Sequence, residues 1–246
     1  MSYQKFAYLY DQLMIEAPYE QWLEFTEKNI PATRSLAILD VGCGTGEFII
    51  KLKEAGYHDV SGVDLSGEML TVANDKLGQS GYQVPLFEMD MRNLEQIGPF
   101  DVITVFCDSL NYLELEEDVK KALNSFYSCL KDDGILLFDV HSLYKVNSFF
   151  INQTFAYDGE DISYIWQSFK GEHEHSVEHE LSFFVKDDKV NLYEKFIELH
   201  LQRTFPVKTY ENCLSAIGFK DISISADFTD AIPTEKSERI FFVAKK

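Results

Sequence analysis

The chemistry of this chain is concentrated in seven residues, Asp40-Val-Gly-Cys-Gly-Thr-Gly46. Glycines at alternate positions let the backbone adopt conformations closed to other residues and let a ligand approach the main chain. By position this could be a dinucleotide loop, and Asp64 follows at about the 20-residue distance expected of a ribose-binding acid. The spacing disagrees. Gly46 follows Gly44 by two residues, whereas a dinucleotide loop has its third glycine three residues after the second. Acids also flank the loop, Asp40 before it and Glu47 after it, and a pyrophosphate tolerates them poorly. They suit a ligand that carries a cation, such as an ammonium or a sulfonium.

The hydrophobic pattern predicts the elements that hold this loop. Leu36 to Val41 is a short apolar run ending in glycines, the mark of a strand buried on both faces. A helix with Phe48, Ile49, Leu52 and Ala55 on one face follows and closes at Gly56. Val60 to Leu65 is the next strand, and Ser66 can cap a helix from Gly67 to Leu77. Pro85 to Met89, Phe100 to Cys107 and Gly134 to Val140 are three more strands, the last preceded by an amphipathic helix from Leu115 to Leu130. Regular alternation of this kind means a parallel sheet with helices on both faces. Upstream, Phe6 to about Asn29 reads as two short helices interrupted at Ala17-Pro18. After the fifth strand the rhythm changes: Ile162 to Phe169, His173 to Val185 and Val190 to Leu201 alternate with period two, with a turn at Lys186-Asp-Asp-Lys189, as in an antiparallel meander. A helix from Pro206 through Leu214, ended by Gly218, and strands at Asp221 to Ser225 and Ile240 to Ala244 complete the chain.

Composition narrows the function. The 246 residues carry 22 Lys+Arg against 41 Asp+Glu, a formal charge of −19. That balance opposes binding to a nucleic-acid backbone, which depends on Lys and Arg displacing counterions. With 20 Phe and 13 Tyr, the chain can bury enough surface to fold, and no apolar run is long enough to cross a bilayer. The first residues lack a basic stretch followed by an apolar one, so no secretory signal is expected. Cys43, Cys107, Cys129 and Cys213 lie far apart, which argues against a zinc site or disulfide framework and points to a reducing cytoplasm.

On these motifs the chain resembles the class I S-adenosylmethionine-dependent methyltransferases. Asp40, Gly42, Gly44 and Gly46 match that family's first motif, Asp64 in Val-Asp-Leu-Ser its second, and Asp90-Met91 its third. Glu68-Met69-Leu70, the strand end Phe106-Cys107-Asp108 and the turn Lys131-Asp132-Asp133-Gly134 continue the pattern. The likeness is strong from Ser35 to His141 and looser over the last 40 residues or so. It implies an α/β fold, a Rossmann-like three-layer sandwich with a mostly parallel seven-stranded sheet, plus an antiparallel β insertion. Residues 1–144 and 206–246 would form the methyltransferase domain, with 1–33 a helical cover, and 145–205 would be the insertion over the active site. An insertion of this kind, and an opening like Phe6-Ala-Tyr-Leu-Tyr10-Asp11, resemble the branch of bacterial amino-sugar N,N-dimethyltransferases.

The resemblance also implies roles. Asp40 would take the ammonium of S-adenosylmethionine, directly or through water, while Gly42 and Gly44 let the backbone pass beside the methionyl portion and ribose. Asp64 would bind both ribose hydroxyls. Leu65 and Met91 would sandwich the adenine, Asp90 would accept a hydrogen bond from its exocyclic amine, and Cys107 would line the floor beneath the sulfonium. Tyr3 and Tyr10 of the N-terminal cover could contact the cofactor. Asp90 alternatively caps a short helix beginning near Arg92, and no cysteine nucleophile is expected.

Methyl transfer from a sulfonium asks mostly for proximity and orientation, with a base where the acceptor must lose a proton. Asn111 and Tyr112 follow the fourth strand and could position an acceptor. His141 ends the fifth strand, where its imidazole either takes a proton or tidies the strand end. Within the meander, His173, His175, Val177, His179, Leu181 and Phe183 share one face of an ideal strand. A metal pair at His173 and His175 is conceivable, but a half-buried strand packed over the site is the preferred reading. The expected acceptor is a small molecule, with an amine attractive to so acidic a protein. An RNA or protein methyltransferase, a non-catalytic S-adenosylmethionine-binding protein and a nicotinamide-dependent dehydrogenase are the alternatives.

Overall fold

Period-two alternation along the central strands sets the layering. The computed structural model describes residues 9–11, 14, 17–187 and 192–246. Strand β1 (Ala37–Val41) is buried at all five positions. Leu39 and Val41 face a core shared with α4 (Glu116–Cys129) and α5 (Val207–Ile217). Ile38 faces the opposite core, made with α1 (Tyr19–Asn29), α2 (Glu47–Glu54) and α3 (Gly67–Gln79). Each fully buried Phe, Leu or Ile in these layers contributes roughly 1.5–3 kcal/mol.

The main sheet has seven strands, with β2 (Asp59–Asp64), β3 (Leu86–Glu88), β4 (Phe100–Val105), β5 (Leu130–His141), β10 (Lys220–Ala226) and β11 (Arg239–Lys245) joining β1. Their order is β10-β11-β5-β4-β1-β2-β3. Every pairing is parallel except those of β11, which runs antiparallel to both β5 and β10. The expected three-layer sandwich with a mostly parallel sheet is therefore the observed one. The chain steps outward from β1 to β3 in one direction and from β4 to β5 in the other. The switch between β1 and β4 opens a crevice at the strands' carboxyl ends, where ligands of such sheets bind.

Local signals hold where they rest on capping chemistry. The Ser66 hydroxyl accepts from Met69 N at 3.2 Å and starts α3, and Gly218, at φ 119°, stops α5. Pro18 stands immediately before α1. Residues 9–11 are helical, while Tyr3, Phe6 and the rest of the first predicted helix lie outside the described residues.

A second, antiparallel sheet has the order β6-β7-β8-β9 and comprises Gln153–Asp158, Ile162–Lys170, Ser176–Asp187 and Leu192–Arg203. Two points differ from the sequence reading. A fourth strand, β6, precedes the expected three. Strand β8 begins at Ser176 rather than His173, because the Ser176 hydroxyl accepts from His173 N at 3.0 Å and donates to His173 O at 2.8 Å, closing a turn in which His175 is left-handed at φ 61°. His173 and His175 therefore share no strand face with His179. Residues 188–191, which include the second half of the predicted turn, lie outside the described residues. The inner face of this sheet packs Leu181 and Phe183 against Tyr10 and Met69 of the main body.

Candidate active site

The glycine loop is clamped to the end of β2. Gly42 N and Cys43 N donate to Val63 O at 2.8 and 3.0 Å, and Gly44 N donates to an Asp64 carboxylate oxygen at 2.8 Å. Gly42 is required twice over: its φ is +71°, and a Cβ there would fall 2.5 Å from the Ser109 hydroxyl. The other Asp64 oxygen accepts from Ser66 N at 2.9 Å. Each oxygen thus has one loop amide and retains acceptor capacity. Burial raises the Asp64 carboxyl, against the pull of these amides.

Asp40 lies on the Ile38 side of β1, 3% exposed, and accepts from the Thr104 hydroxyl of β4 at 2.8 Å. Burial pushes its carboxyl up to about 7; the Thr104 bond opposes this and the charge of Asp64 adds to it. A nearby cation is what such a group lacks. The pocket over Asp40 is lined by Tyr10, Tyr19, Trp22, Gly44, Phe106 and Cys107, among others. Trp22 is buried, and its indole Nε1 has no hydrogen-bond partner.

Leu65, just past β2, is 70% exposed beside Asp64, an uncovered apolar side chain at the rim. Met91 is partly buried against the core. Asp90 is held by Arg92, whose backbone N and guanidinium Nε both donate to Oδ1, at 2.9 and 3.0 Å. That pairing draws its carboxyl below the usual range. Asp90 thus closes a turn, with no helix beginning at Arg92, and the carboxylate stays ionised.

Beyond β4 the backbone is left-handed at two consecutive non-glycine residues, Cys107 (φ 55°) and Asp108 (φ 53°), a costly conformation that clusters at functional sites. Cys107 is hydrogen-bonded to Tyr10, and burial pushes its thiol up, so it is neutral and no nucleophile. Asp108 faces His141 Nε2 at 3.3 Å and Arg239 Nη2 at 3.1 Å, and accepts from Gln202 Nε2 at 2.8 Å. Burial alone would raise its carboxyl, but His141, Arg239 and Gln202 hold it well below the usual range. Arg239 also pairs with Asp139, a fully buried carboxylate raised by its own burial.

The residues proposed for the acceptor divide. Tyr112 is half exposed, with its hydroxyl 3.0 Å from His200 Nδ1, and His141 is buried beside Asp108. Asn111 corrects the expectation. It is 1% exposed, donates to Arg203 O at 2.7 Å and accepts from His141 N at 2.9 Å. Its buried amide joins β9 to the end of β5. His179 accepts from Trp166 Nε1 at 2.9 Å on Nδ1, with the Ser168 hydroxyl 2.8 Å away. Burial pulls it down to about 4, so it is neutral near pH 7. Among the described residues, no three of His, Cys, Asp or Glu form a group able to hold a metal.

Trp22, Tyr19, Asp108, Gln202 and Arg239 were not found by sequence reasoning. Asp108 offered the one local signal, as the acid directly after the predicted strand Phe100 to Cys107. The set as a whole fits S-adenosylmethionine: a buried carboxyl lacking a cation, a rim carboxylate with acceptor capacity, an uncovered apolar residue and an unpartnered N–H donor.

Comparison with known proteins agrees. A family model described as a methyltransferase domain matches residues 38–134. YqeM of Bacillus subtilis (strain 168), whose name gives methyltransferase and no acceptor, is 48% identical over 247 residues, 100% of this chain and 98% of its own. A glycine/sarcosine N-methyltransferase of Aphanothece halophytica is 31% identical over 91% of this chain and 81% of its own. An amino-sugar relative, the dTDP-3-amino-3,4,6-trideoxy-alpha-D-glucopyranose N,N-dimethyltransferase of Streptomyces venezuelae, is 27% identical over 75% of each chain. The crystal structure of an S-adenosylmethionine-dependent methyltransferase from Clostridium acetobutylicum ATCC 824 superposes with a TM-score of 0.86, at 29% identity, over 100% of this chain and 99% of that one.

Proposed function

The chain belongs to the S-adenosylmethionine-dependent methyltransferases, and from that premise we propose that its acceptor is a small-molecule amine. The observation that carries this is the roof over the crevice. Strand β9 is tied to the turn after β4 through Asn111 to Arg203, Gln202 to Asp108 and Tyr112 to His200. A sheet fastened there favours a small acceptor over a folded macromolecule in this reading. The formal charge of −19 draws in cations and repels polyanions. Relatives whose names specify nitrogen methylation support the amine.

When bound, S-adenosylmethionine supplies an electrophilic methyl group on a sulfonium. Asp40 holds the ammonium, Asp64 the ribose hydroxyls, Leu65 and Met91 the adenine faces and Asp90 the exocyclic amine. Tyr10 and Cys107 border the end of the pocket where the transfer takes place. On the acceptor side, Tyr112 borders the opening and His141 takes the proton that the acceptor nitrogen loses. Asp108 orients that imidazole, and Asn111 fixes the main chain beneath it. No helix of the described residues is long and apolar enough to cross a membrane, and four free cysteines fit a reducing cytoplasm.

The test is S-adenosylhomocysteine release by the purified full-length chain with a panel of glycine, sarcosine, amino sugars and polyamines. Matched hydroxy acids, bulk RNA and protein serve as controls. Turnover confined to amines is expected. Turnover with RNA or protein, or with hydroxyl acceptors alone, would overturn the assignment.

A further inference from the structure

Tyr10 and Asp11 are adjacent in the N-terminal segment and engage different parts of the cofactor site. Tyr10 is hydrogen-bonded to Cys107, its ring lies 3.9 Å from where a Cβ on Gly44 would be, and it packs on Leu181 and Phe183 of β8. Asp11 accepts the hydroxyl of Thr45 on one oxygen and Lys76 Nζ on the other, the latter at 2.7 Å. Thr45 is buried within the glycine loop, between Gly44 and Gly46. Lys76, from α3, continues to Glu47 at the start of α2, at 2.9 Å. One carboxylate therefore joins four pieces of chain: the N-terminal segment, the glycine loop and the two helices behind it.

We infer that Asp11 is a positioning residue for the cofactor, acting as a clasp that seats Tyr10 over the glycine loop and slows release of S-adenosylmethionine. The pocket above Asp40 is lined by Tyr10 from the segment and by Gly44 and Thr45 from the loop. Separating those walls means breaking Asp11 from Thr45 and from Lys76 together. Lys76 and Asp11 are 21% and 33% exposed, so the pair is partly withdrawn from solvent and less screened than a surface ion pair. The Thr45 bond gives the clasp its register, and the Lys76 pair adds attraction without fixing direction. The clasp serves the cofactor alone, so the inference stands or falls independently of the acceptor.

The test uses the full-length chain, with S-adenosylmethionine affinity measured by calorimetry. Its dissociation rate is followed by Trp fluorescence during displacement with S-adenosylhomocysteine, and the thermal midpoint is measured for every variant. Asp11→Ala should raise the dissociation rate about tenfold with a midpoint near that of wild type. Asp11→Asn still accepts from Thr45 but does not attract Lys76, and should raise it about threefold. Lys76→Met should match Asp11→Asn, and adding it to Asp11→Ala should change little further, because both act through one clasp. Wild-type release should quicken with salt, and release from Lys76→Met should not. A rate for Asp11→Ala within twofold of wild type would overturn the inference, as would effects of Asp11→Ala and Lys76→Met that simply multiply. So would losses in affinity that only track falling thermal midpoints.

Discussion

Asp108 stands 3.3 Å from Nε2 of His141, at the ends of two neighbouring parallel strands, with Arg239 and Gln202 on the remaining sides of its carboxylate. An imidazole held on Nε2 by a carboxylate leaves Nδ1 as its other nitrogen for proton transfer. His141→Gln should lower kcat about a hundredfold, within the range for a general base, with S-adenosylmethionine affinity within twofold of wild type. Steady-state kinetics on the amine found by the acceptor panel, with calorimetry alongside, checks both. An unchanged kcat would show that the acceptor nitrogen needs no base from the protein.

Asp108 also compensates a buried arginine. Asp108→Asn keeps the shape but leaves Arg239 with Asp139 as its remaining carboxylate partner of the pair, and should cost roughly 2–4 kcal/mol of unfolding free energy, by analogy with broken buried pairs. Urea denaturation without cofactor measures this directly. A loss below about 0.5 kcal/mol, the scale of an ordinary surface change, would mean that Asp139 alone suffices.

With the ammonium placed on Asp40 as proposed, cofactor binding should depend on pH. Its carboxyl, pushed up to about 7 by burial, is protonated below that pH, whereas a bound ammonium favours the ionised form. Binding therefore expels a proton, and affinity should rise with pH up to about 7. It should then fall as the ligand's α-amino group deprotonates, near the ordinary range of about 7.7–8.0. Calorimetry at pH 6 in buffers of different ionisation enthalpy should show proton release in wild type and none in Asp40→Asn.

Asp64 holds the loop through two backbone amides, and in the proposed site it also binds the ribose. Asp64→Ala removes the acceptor for Gly44 N and Ser66 N along with the ribose contact. It should weaken S-adenosylmethionine binding by at least ten- to a hundredfold, about 1.5–3 kcal/mol for one charged hydrogen-bonding group. Asp64→Asn can accept from one amide and should fall between the two in a binding titration.

Gly42→Ala tests the close approach of the loops after β1 and β4. The left-handed backbone costs about 1–2 kcal/mol for a non-glycine residue, and the new methyl meets the Ser109 hydroxyl. Cofactor binding and thermal midpoint should both drop. Adding Ser109→Gly should recover part of the loss, the part due to collision and not to backbone strain.

The parallel sheet and the glycine loop were legible because their signals are local. Buried strands read as apolar runs, the loop carries its glycines in sequence, and Ser66 and Gly218 act on their own neighbours. Strand β6 was not legible: Gln153–Asp158 is almost wholly exposed at a sheet edge, so it lacks the alternation that burial imposes. His173 and His175 failed for another reason, since alternating residues mimic a strand while the Ser176 hydroxyl closes a turn. Asn111 looked available because nothing nearby in sequence reveals that Arg203 O and His141 N claim its amide. The buried network around Asp108 was hidden for the same reason. Gln202 lies 94 positions away and Arg239 131, and only the closed fold brings them together.

Arg239 opens β11, which follows every other strand of the main sheet in sequence and is its one antiparallel member. During synthesis, a chain that has reached α5 already contains Asp108 and Asp139 but not the arginine that neutralises them. Closing the core around those carboxylates at that stage would bury two like charges without their cation. The emerging chain thus has an electrostatic reason to keep the place between β5 and β10 open until β11 inserts. Completion of the sheet and completion of the reaction end then become one event.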